Sequence, residues 1–496
     1  MNSTILAAIA ISAQTFTLTI LHTNDIHAHV EPTLIKGKTY GGYARVATLI
    51  RRYRASDPNP ILLNAGDTFQ GTLYYNVYRG LADAHLMNLS GYQAMALGNH
   101  EFDDGPAGLL PFVQSVQFPV LCANLDFSGE PMLQNWVKPS TVIHVGNQRI
   151  GLIGLITPDL FEISSPGANL KVTDIDAAVE REISKLKKLN INKFILLTHV
   201  GYGGEIELAR KHPDVDVVVG GHSHSLLCDT GAIPIANPAG PYPTKVGKAL
   251  VVQAWEWNKV LGRIKVDFDE AGNITGYHDA KPILTDDSIP QDVSLKSAVD
   301  AFKKPIDNLG NEVVGTSPKG LPRDSGPEMT MGNVIADAML AYTARNQTVA
   351  AFMNRGGVRA PIEPGPITYG EIIATQPFGN TLVVMDATGD EIRQMLNIGA
   401  TKAGTVQVSR GMAYRIGPGG AITSMTLNGT PMTNSAKYRI VVNNFMARGG
   451  DGFTSLADAK GYRVDTGLLD SDALIDYIKK NSPLDAKIEG RVSASQ

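Results

Sequence analysis

Five times in the first half of the chain, a short apolar run ends in a polar or Gly-rich loop carrying Asp, Asn or His. Residues 16–21 lead into His22-Thr23-Asn24-Asp25, and 61–63 into Asn64-Ala65-Gly66-Asp67. Residues 94–97 lead into Gly98-Asn99-His100, 194–197 into Thr198-His199, and 215–219 into Gly220-Gly221-His222. The runs are too short for ordinary helices and rich in Ile, Leu and Val, so they read as buried strands. Helical spacing fills gaps between them; 177–189 is the clearest, with Val179, Ile183, Leu186 and Leu189 near one face. Strand–loop–helix alternation predicts layered α/β architecture. In such folds ligands collect at the carboxyl ends of strands, where every one of these polar loops falls.

Length and composition bound the rest. At 496 residues the chain has room for two or three domains at roughly 150 residues each. Its 48 acidic and 44 basic residues leave a formal charge of −4, which excludes a basic nucleic-acid wrapper and a disordered acidic chain. A local pocket for a small anion stays open. Two Cys exclude a disulfide scaffold, a four-cysteine zinc site and a cysteine-ligated iron–sulfur cluster. A metal here must be held by His, Asp and Asn. The apolar stretch 5–11 followed by small residues reads as a secretory signal peptide over 1–13, cleaved after Ala13, and so as a secreted or periplasmic protein. No stretch reaches the length of a membrane span.

The second half begins near 298. Helix is expected over 299–309, with Pro305 near its middle, and again over 333–342 and 391–398. Strands are expected at 349–353, 381–385 and 438–442, a loop at 315–326 and a turn at 427–431. Its loops hold Arg, Asn, Phe and Gly and no His, which suits recognition of a substrate rather than metal binding. The expected division is 16–297, a linker or hinge over 298–330, and 331–490.

The polar loops suggest two divalent cations. Asp25, His27, Asp67 and His224 suit one, and Asp67, Asn99, His199 and His222 the other, with Asp67 bridging. Such oxygen and nitrogen donors favour zinc or manganese, with cobalt possible. Two ions about 3.5–4 Å apart can clamp a phosphate and activate a water for in-line attack. Each motif alone has a plainer explanation, as a turn or a surface loop; five in order at strand ends do not. His22 and His29 flank the first motif and would lie beside the ligands rather than among them. One helical turn would bring Asp103 to His100, fixing its tautomer and favouring its protonated form. Otherwise Asp103 caps a helix.

These residues closely resemble the secreted 5′-nucleotidase family of the calcineurin-like metallophosphoesterases. The likeness is carried by ILHTNDIHAHVEP, NAGDTFQGT, ALGNHEFDDG, LLTHVG and VVVGGHSHS, and continues in MTMGNVIADAM, NRGGVR, TQPFGNTLVV and NFMARGGDGF. It implies an α/β protein with an N-terminal four-layer αββα metallophosphoesterase domain. A helical linker would join this to a smaller α+β C-terminal 5′-nucleotidase domain. It also implies metal ligation by Asp25, His27, Asp67, Asn99, His199, His222 and His224, and catalysis by His100 with Asp103. Asn354, Arg359 and, more loosely, Arg323 would bind nucleotide, with Phe378 and Phe453 sandwiching the base. Both rings stand beside Gly-rich turns and are expected to be exposed. His224 replaces the Asn or Gln of some members, and Arg355 stands where others have a small or polar residue. The implied activity is hydrolysis of nucleoside 5′-monophosphates. Alternatives are 2′,3′-cyclic-nucleotide, nucleoside di- or triphosphate, or UDP-sugar hydrolysis, or metal-dependent binding without turnover. The partner is a small nucleotide rather than a nucleic-acid polymer, and monomer and homodimer are equally compatible.

Overall fold

The computed structural model describes residues 15–35, 38–164, 166–376 and 378–494; the expected signal peptide lies outside them. The chain divides into two units, one of residues 1–70 and 74–302, the other of 71–73 and 303–496.

In the first unit each apolar run is a strand. Phe16–Thr23, Pro60–Asn64, Ala94–Ala96, Val120–Leu121 and Val137–Lys138 run parallel in one sheet. Val260–Phe268 and Ile274–Leu284 extend that sheet antiparallel beyond Phe16–Thr23. A second sheet runs Thr244–Val246, Ala249–Gln253, Val217–Gly220, Phe194–His199, Gln148–Ile156, Ser140–Val145, with its four central strands parallel. Side chains alternate across a strand, so each sheet presents two apolar faces. Leu18, Ile20, Ile61 and Leu63 meet Leu152, Ile195, Leu197 and Val219 in the core between the sheets. Ile153, Leu196, Val218 and Val251 face outward onto Val179, Ile183 and Leu186 of helix Ile175–Lys188, and onto Leu208 of helix Tyr202–Lys211. Helix Tyr43–Ser56 packs on the other sheet against strands Pro60–Asn64 and Val260–Phe268. The order is helix, sheet, sheet, helix. Since the central strands of both sheets are parallel, their carboxyl-terminal loops gather along the sheet ends.

Helix Val293–Gly310, with Pro305 inside it, carries the chain into the second unit. There a five-stranded sheet runs Gln407–Val408, Ala350–Met353, Lys437–Asn443, Thr381–Thr388, Arg463–Leu469. Alternation again makes two cores. Ala351, Met353, Leu382, Val384 and Val441 pack on helices Thr330–Tyr342 and Asp470–Asn481. Phe352, Val383, Met385, Ile440 and Val442 pack on helix Gly389–Ile398 and on a small sheet containing Met412–Ile416 and Ile422–Leu427. The helices at 299–309, 333–342 and 391–398 and the strands at 349–353, 381–385 and 438–442 are present. The loop expected at 315–326 is not wholly one: Val313–Ser317 is a strand paired with Gly365–Thr368. Its Gly and polar content hid an edge pairing. The turn near 427–431 is a hairpin, Ile422–Leu427 returning as Thr430–Pro431.

Asp470, 1% exposed, opens helix Asp470–Asn481, and burial pushes its carboxyl up to about 7. A long 3.5 Å bond from Asn380 Nδ2 compensates little. The unfolded chain releases this proton near pH 3.9, so the stability tied to the protonated form is complete below about pH 4 and is lost as pH rises through about 7. Asp470→Asn should therefore flatten the fall in urea midpoint between pH 4.5 and 7.5 relative to wild type. Identical pH slopes would contradict the assignment.

Candidate metal centre and nucleotide-recognition residues

Five candidate ligands hold left-handed backbone: Asp25 (φ 49°), His27 (50°), Asp67 (56°), His222 (78°) and His224 (48°). Non-glycine residues rarely adopt this conformation, and it persists where surrounding structure over-determines it. Here the loops lock one another. Asp25 N donates to Gly66 O (3.0 Å), His27 N to Asp67 O (3.0 Å) and Ala28 N to Thr68 O (2.8 Å). The chain thus turns sharply at each strand end and aims successive side chains at one point.

Their donor atoms converge in three groups among the described residues: Asp25, His27 and His224; His27, Asp67 and His100; Asp67, His199 and His222. His199 Nε2 is 2.9 Å from Asp67 Oδ2 and 3.9 Å from Asp25 Oδ1; His224 Nε2 is 3.4 Å from Asp25 Oδ1. Asn99 is buried, with Oδ1 3.0 Å from His222 Nδ1. The ring partners test whether a cation fits. His27 Nδ1 lies 3.0 Å from Phe69 O and His224 Nδ1 lies 2.5 Å from Glu256 Oε2, so both Nδ1–H groups have acceptors. That turns two unprotonated Nε2 atoms toward each other at 3.0 Å. His199 likewise gives Nδ1–H to Ala65 O (2.7 Å) and points Nε2 at a carboxylate. Facing lone pairs call for positive charge between them, which a proton or a divalent cation can supply. The clustered His and Asp residues are therefore compatible with a dimetal site.

Electrostatics divide the imidazoles into two kinds. Burial would raise the Asp67 carboxyl, but the charges of His199, His100 and His27 and the His199 bond outweigh it and hold it well below the usual range. Burial, aided by His199, pushes His222 down to about 3, and burial with the charge of His224 holds His27 well below its ordinary value. His199 and His224 go the other way: burial would lower both, but the charge and bond of Asp67 push His199 up to about 10, and the charges of Asp25 and Glu256 raise His224. Metal binding would displace a proton from these two rings.

His100 starts the 3-10 turn His100–Phe102, and that turn brings Asp103 round. Asp103 Oδ2 is 2.6 Å from His100 Nδ1, and Asp103 Oδ1 accepts from Ser164 Oγ (2.8 Å). The imidazole lies beside His27, ring centres 5.1 Å apart.

In the second unit the turn Arg355–Gly357 gathers the expected recognition residues. Asn354 Nδ2 donates to Asp451 Oδ2 and Asn354 Oδ1 accepts from Asn443 Nδ2, both at 2.9 Å. Arg323 Nε donates to Val358 O (2.8 Å). The Arg359 guanidinium lies 5.5 Å from the ring centre of Phe378, which is 48% exposed. Arg355 is a clamp, its guanidinium bound to the carbonyls of Asp324 and Gly326 and to Thr405 Oγ1.

Two family models match: calcineurin-like phosphoesterase over residues 18–226 and the 5′-nucleotidase C-terminal domain over 313–458. The chain is 38% identical to 5′-nucleotidase of Diplobatis ommata (97% of this chain, 90% of the relative). It is 35% identical to 5′-nucleotidase of Bos taurus (98% and 92%). Among solved structures, the 5′-nucleotidase precursor of Thermus thermophilus is 42% identical, with a TM-score of 0.72 and coverage of 97% of this chain and 99% of that one. The chain belongs to the 5′-nucleotidase family. It has that family's two-domain architecture, an αββα metallophosphoesterase domain followed by a 5′-nucleotidase C-terminal domain. Its His/Asp clusters are consistent with a dimetal phosphoesterase active site, and the chain is an enzyme of that class.

One expectation fails among the site residues of this family member. Phe453 is not exposed: its ring is fully buried, packed with Ile392, Met395, Leu396, Met446 and Leu456. Gly450 and Gly452 mark a tight turn that folds the ring into the core, where the sequence suggested a surface loop. Other residues had no sequence signal. Glu101, fully buried, accepts from the amides of Asp67 (2.9 Å), Thr68 (2.7 Å) and Gly98 (2.6 Å), and so shapes the loop that carries the Asp67 carboxylate. Asn24 donates to Asp25 Oδ2 (2.6 Å) and to Trp255 O (2.6 Å). Glu205, pushed up to about 8 by burial, accepts from Gly221 N (3.0 Å) just before His222. His29, expected from the sequence beside the first motif, stacks on Trp257, ring centres 4.2 Å apart. Both cysteines are buried and free.

Gly98 tests how tightly the centre is built. A Cβ there would fall 2.1 Å from Asp67 Oδ1 and 2.4 Å from Asp67 N. Gly98→Ala should displace Asp67 and reduce bound divalent metal below the wild-type content, measured by plasma mass spectrometry. Unchanged metal content would contradict the role of Asp67.

Proposed function

We propose that the protein hydrolyses nucleoside 5′-monophosphates to nucleoside and inorganic phosphate, using two divalent cations, zinc or manganese. The observation that carries this reading is the convergence of Asp67 with His27, His199, His222 and the His100–Asp103 pair at one set of strand ends. Imidazole donors suit zinc, and the carboxylate and carboxamide oxygens also suit manganese. When bound, the cations supply Lewis-acid charge for the phosphoryl oxygens and lower the pKa of the attacking water.

The chain's own groups do the rest. Asp25, His27, Asp67 and His224 would hold one cation, and Asp67, Asn99, His199 and His222 the other. The bond to Asp103 fixes the His100 tautomer and leaves Nε2 as the atom that presents a proton. A protonated His100 stabilises charge on the transferring phosphoryl group and can protonate the leaving oxygen. In the second unit Arg359 and Arg323 offer guanidinium groups to anionic or carbonyl oxygens. Phe378 offers an exposed face to the base, with Arg359 beside it. Asn354, anchored by Asp451 and Asn443, presents a fixed amide. Phe453 then supports the Gly450–Gly452 turn rather than stacking on the base. An exported location accords with the precursor form of the Thermus relative. No helix among the described residues is long and apolar enough to cross a membrane.

Phosphate release from AMP, UMP, ATP, UDP-glucose and 2′,3′-cyclic AMP, after metal removal and add-back, tests the reading. The expected result is release from AMP and UMP that is lost with the metal and restored by manganese or zinc. Preference for one of the other substrates would reassign the activity within the same centre, and no release from any would leave a binding protein. His100→Ala should lower kcat roughly 10²- to 10⁴-fold; retained kcat would remove His100 from the chemistry. Base stacking is worth about 1–3 kcal/mol, so Phe378→Ala should raise KM for AMP roughly 5- to 150-fold and leave KM for a small aryl phosphate nearly unchanged. Equal effects on both would contradict stacking.

A further inference from the structure

His224 is the candidate ligand least supported by its own loop, for its side chain is 34% exposed whereas those of Asp25 and His199 are fully buried. What steadies it comes from a distant segment, Trp255-Glu256-Trp257-Asn258-Lys259. Glu256 Oε2 sits 2.5 Å from His224 Nδ1, and the other carboxylate oxygen is bound to Lys259 Nζ. The Lys259 side chain is 3% exposed and its ammonium is enclosed by aromatic faces, 3.7 Å from the ring centre of Trp255 and 4.2 Å from that of Trp257. Such contacts hold an ammonium by its charge and are strongest when it is desolvated.

The segment's backbone is equally committed. Trp255, Trp257 and Asn258 have φ of 60°, 56° and 55°. That conformation is costly for a bulky side chain, so bonds elsewhere must hold it. They do, and three of them go to the ligand loops. Trp257 N donates to Asp25 O (2.8 Å), Trp255 N to Ser225 O (3.2 Å), and Ala254 N to Asn24 Oδ1 (2.7 Å). The strained segment is thus tied to both loops that supply Asp25 and His224.

We infer that Glu256, held in place by the indole-enclosed Lys259, is a positioning residue that fixes the orientation and Nε2-ligating tautomer of His224. The inference rests on the two-cation reading of the centre. A histidine ligand whose other nitrogen is bound to a carboxylate is oriented and made more basic, and loss of such a partner typically costs about 10- to 100-fold in metal affinity.

Calorimetric titration of the metal-stripped full chain with manganese alone tests this. Wild type should take up two cations. Glu256→Ala should weaken one of the two sites about 10- to 100-fold and leave the other within about twofold. Glu256→Gln, which keeps shape and an acceptor oxygen, should lose less, and it decides the matter if the alanine variant fails to fold. In a His224→Asn background, Glu256→Ala should have no further effect on affinity, because no imidazole remains to hold; this cycle separates positioning from general support. Wild-type affinity at both sites in the Glu256 variants, equal loss at both sites, or the same loss in the His224→Asn background would each overturn the inference. Fewer than two cations on wild type would instead defeat the two-cation reading on which it stands.

Discussion

The structure of the first unit is organised around one electrostatic problem: acceptor atoms that repel one another must be held together away from water. Asp67 is the centre of it. Its carboxylate is 2.9 Å from one histidine nitrogen and 3.8 Å from another, and it lies beside the amide of His100, which donates to Oδ1 at 3.0 Å. Burying such a group costs several kcal/mol unless charge of the opposite sign accompanies it. The two sheets provide the rigidity that keeps the atoms in place, and a pair of cations would provide the charge. The left-handed residues at the strand ends are the local cost of that geometry, sustained by backbone bonds between the Asp25 and Asp67 loops.

Much of this was legible in the sequence for a simple reason. A parallel sheet buried on both faces reads as short apolar runs, and its ligands follow each run directly. Asp25, His27, Asp67, Asn99, His199, His222 and His224 therefore stood out in order as candidate ligands, and the spacing of His100 and Asp103 needed only one tight turn. In the second unit, short runs rich in apolar residues marked the strands at 349–353 and 438–442. Other features depend on pairings distant in sequence. Val313–Ser317 is a strand because Gly365–Thr368 lies beside it, and nothing local says so. Glu101, Glu205 and Glu256 resemble any solvated glutamate until the fold brings backbone amides or a ligand histidine to them. Phe453 shows the converse error. Neighbouring glycines suggested a surface ring, but the same glycines permit the turn that buries it.

The second unit separates support from recognition within one loop system. Asn354 is held from two sides by Asp451 and Asn443, and Arg355 ties its turn to the carbonyls at Asp324 and Gly326. The Arg355 guanidinium is thereby committed to the protein itself, and Arg359 and Phe378 remain the exposed pair beside the turn. The charge of −4 for the whole chain says little about such a site, because the cations that would meet an anionic ligand are local.

The proposed chemistry of the first unit turns on Asp67 bridging two divalent ions. Crystals grown with manganese, with diffraction recorded at the manganese absorption edge, address this most directly. Two anomalous peaks should appear about 3.5–4 Å apart on either side of the Asp67 carboxylate. One should lie against Asp25, His27 and His224 and the other against Asn99, His199 and His222. A single peak, or a pair that does not share Asp67, would contradict it.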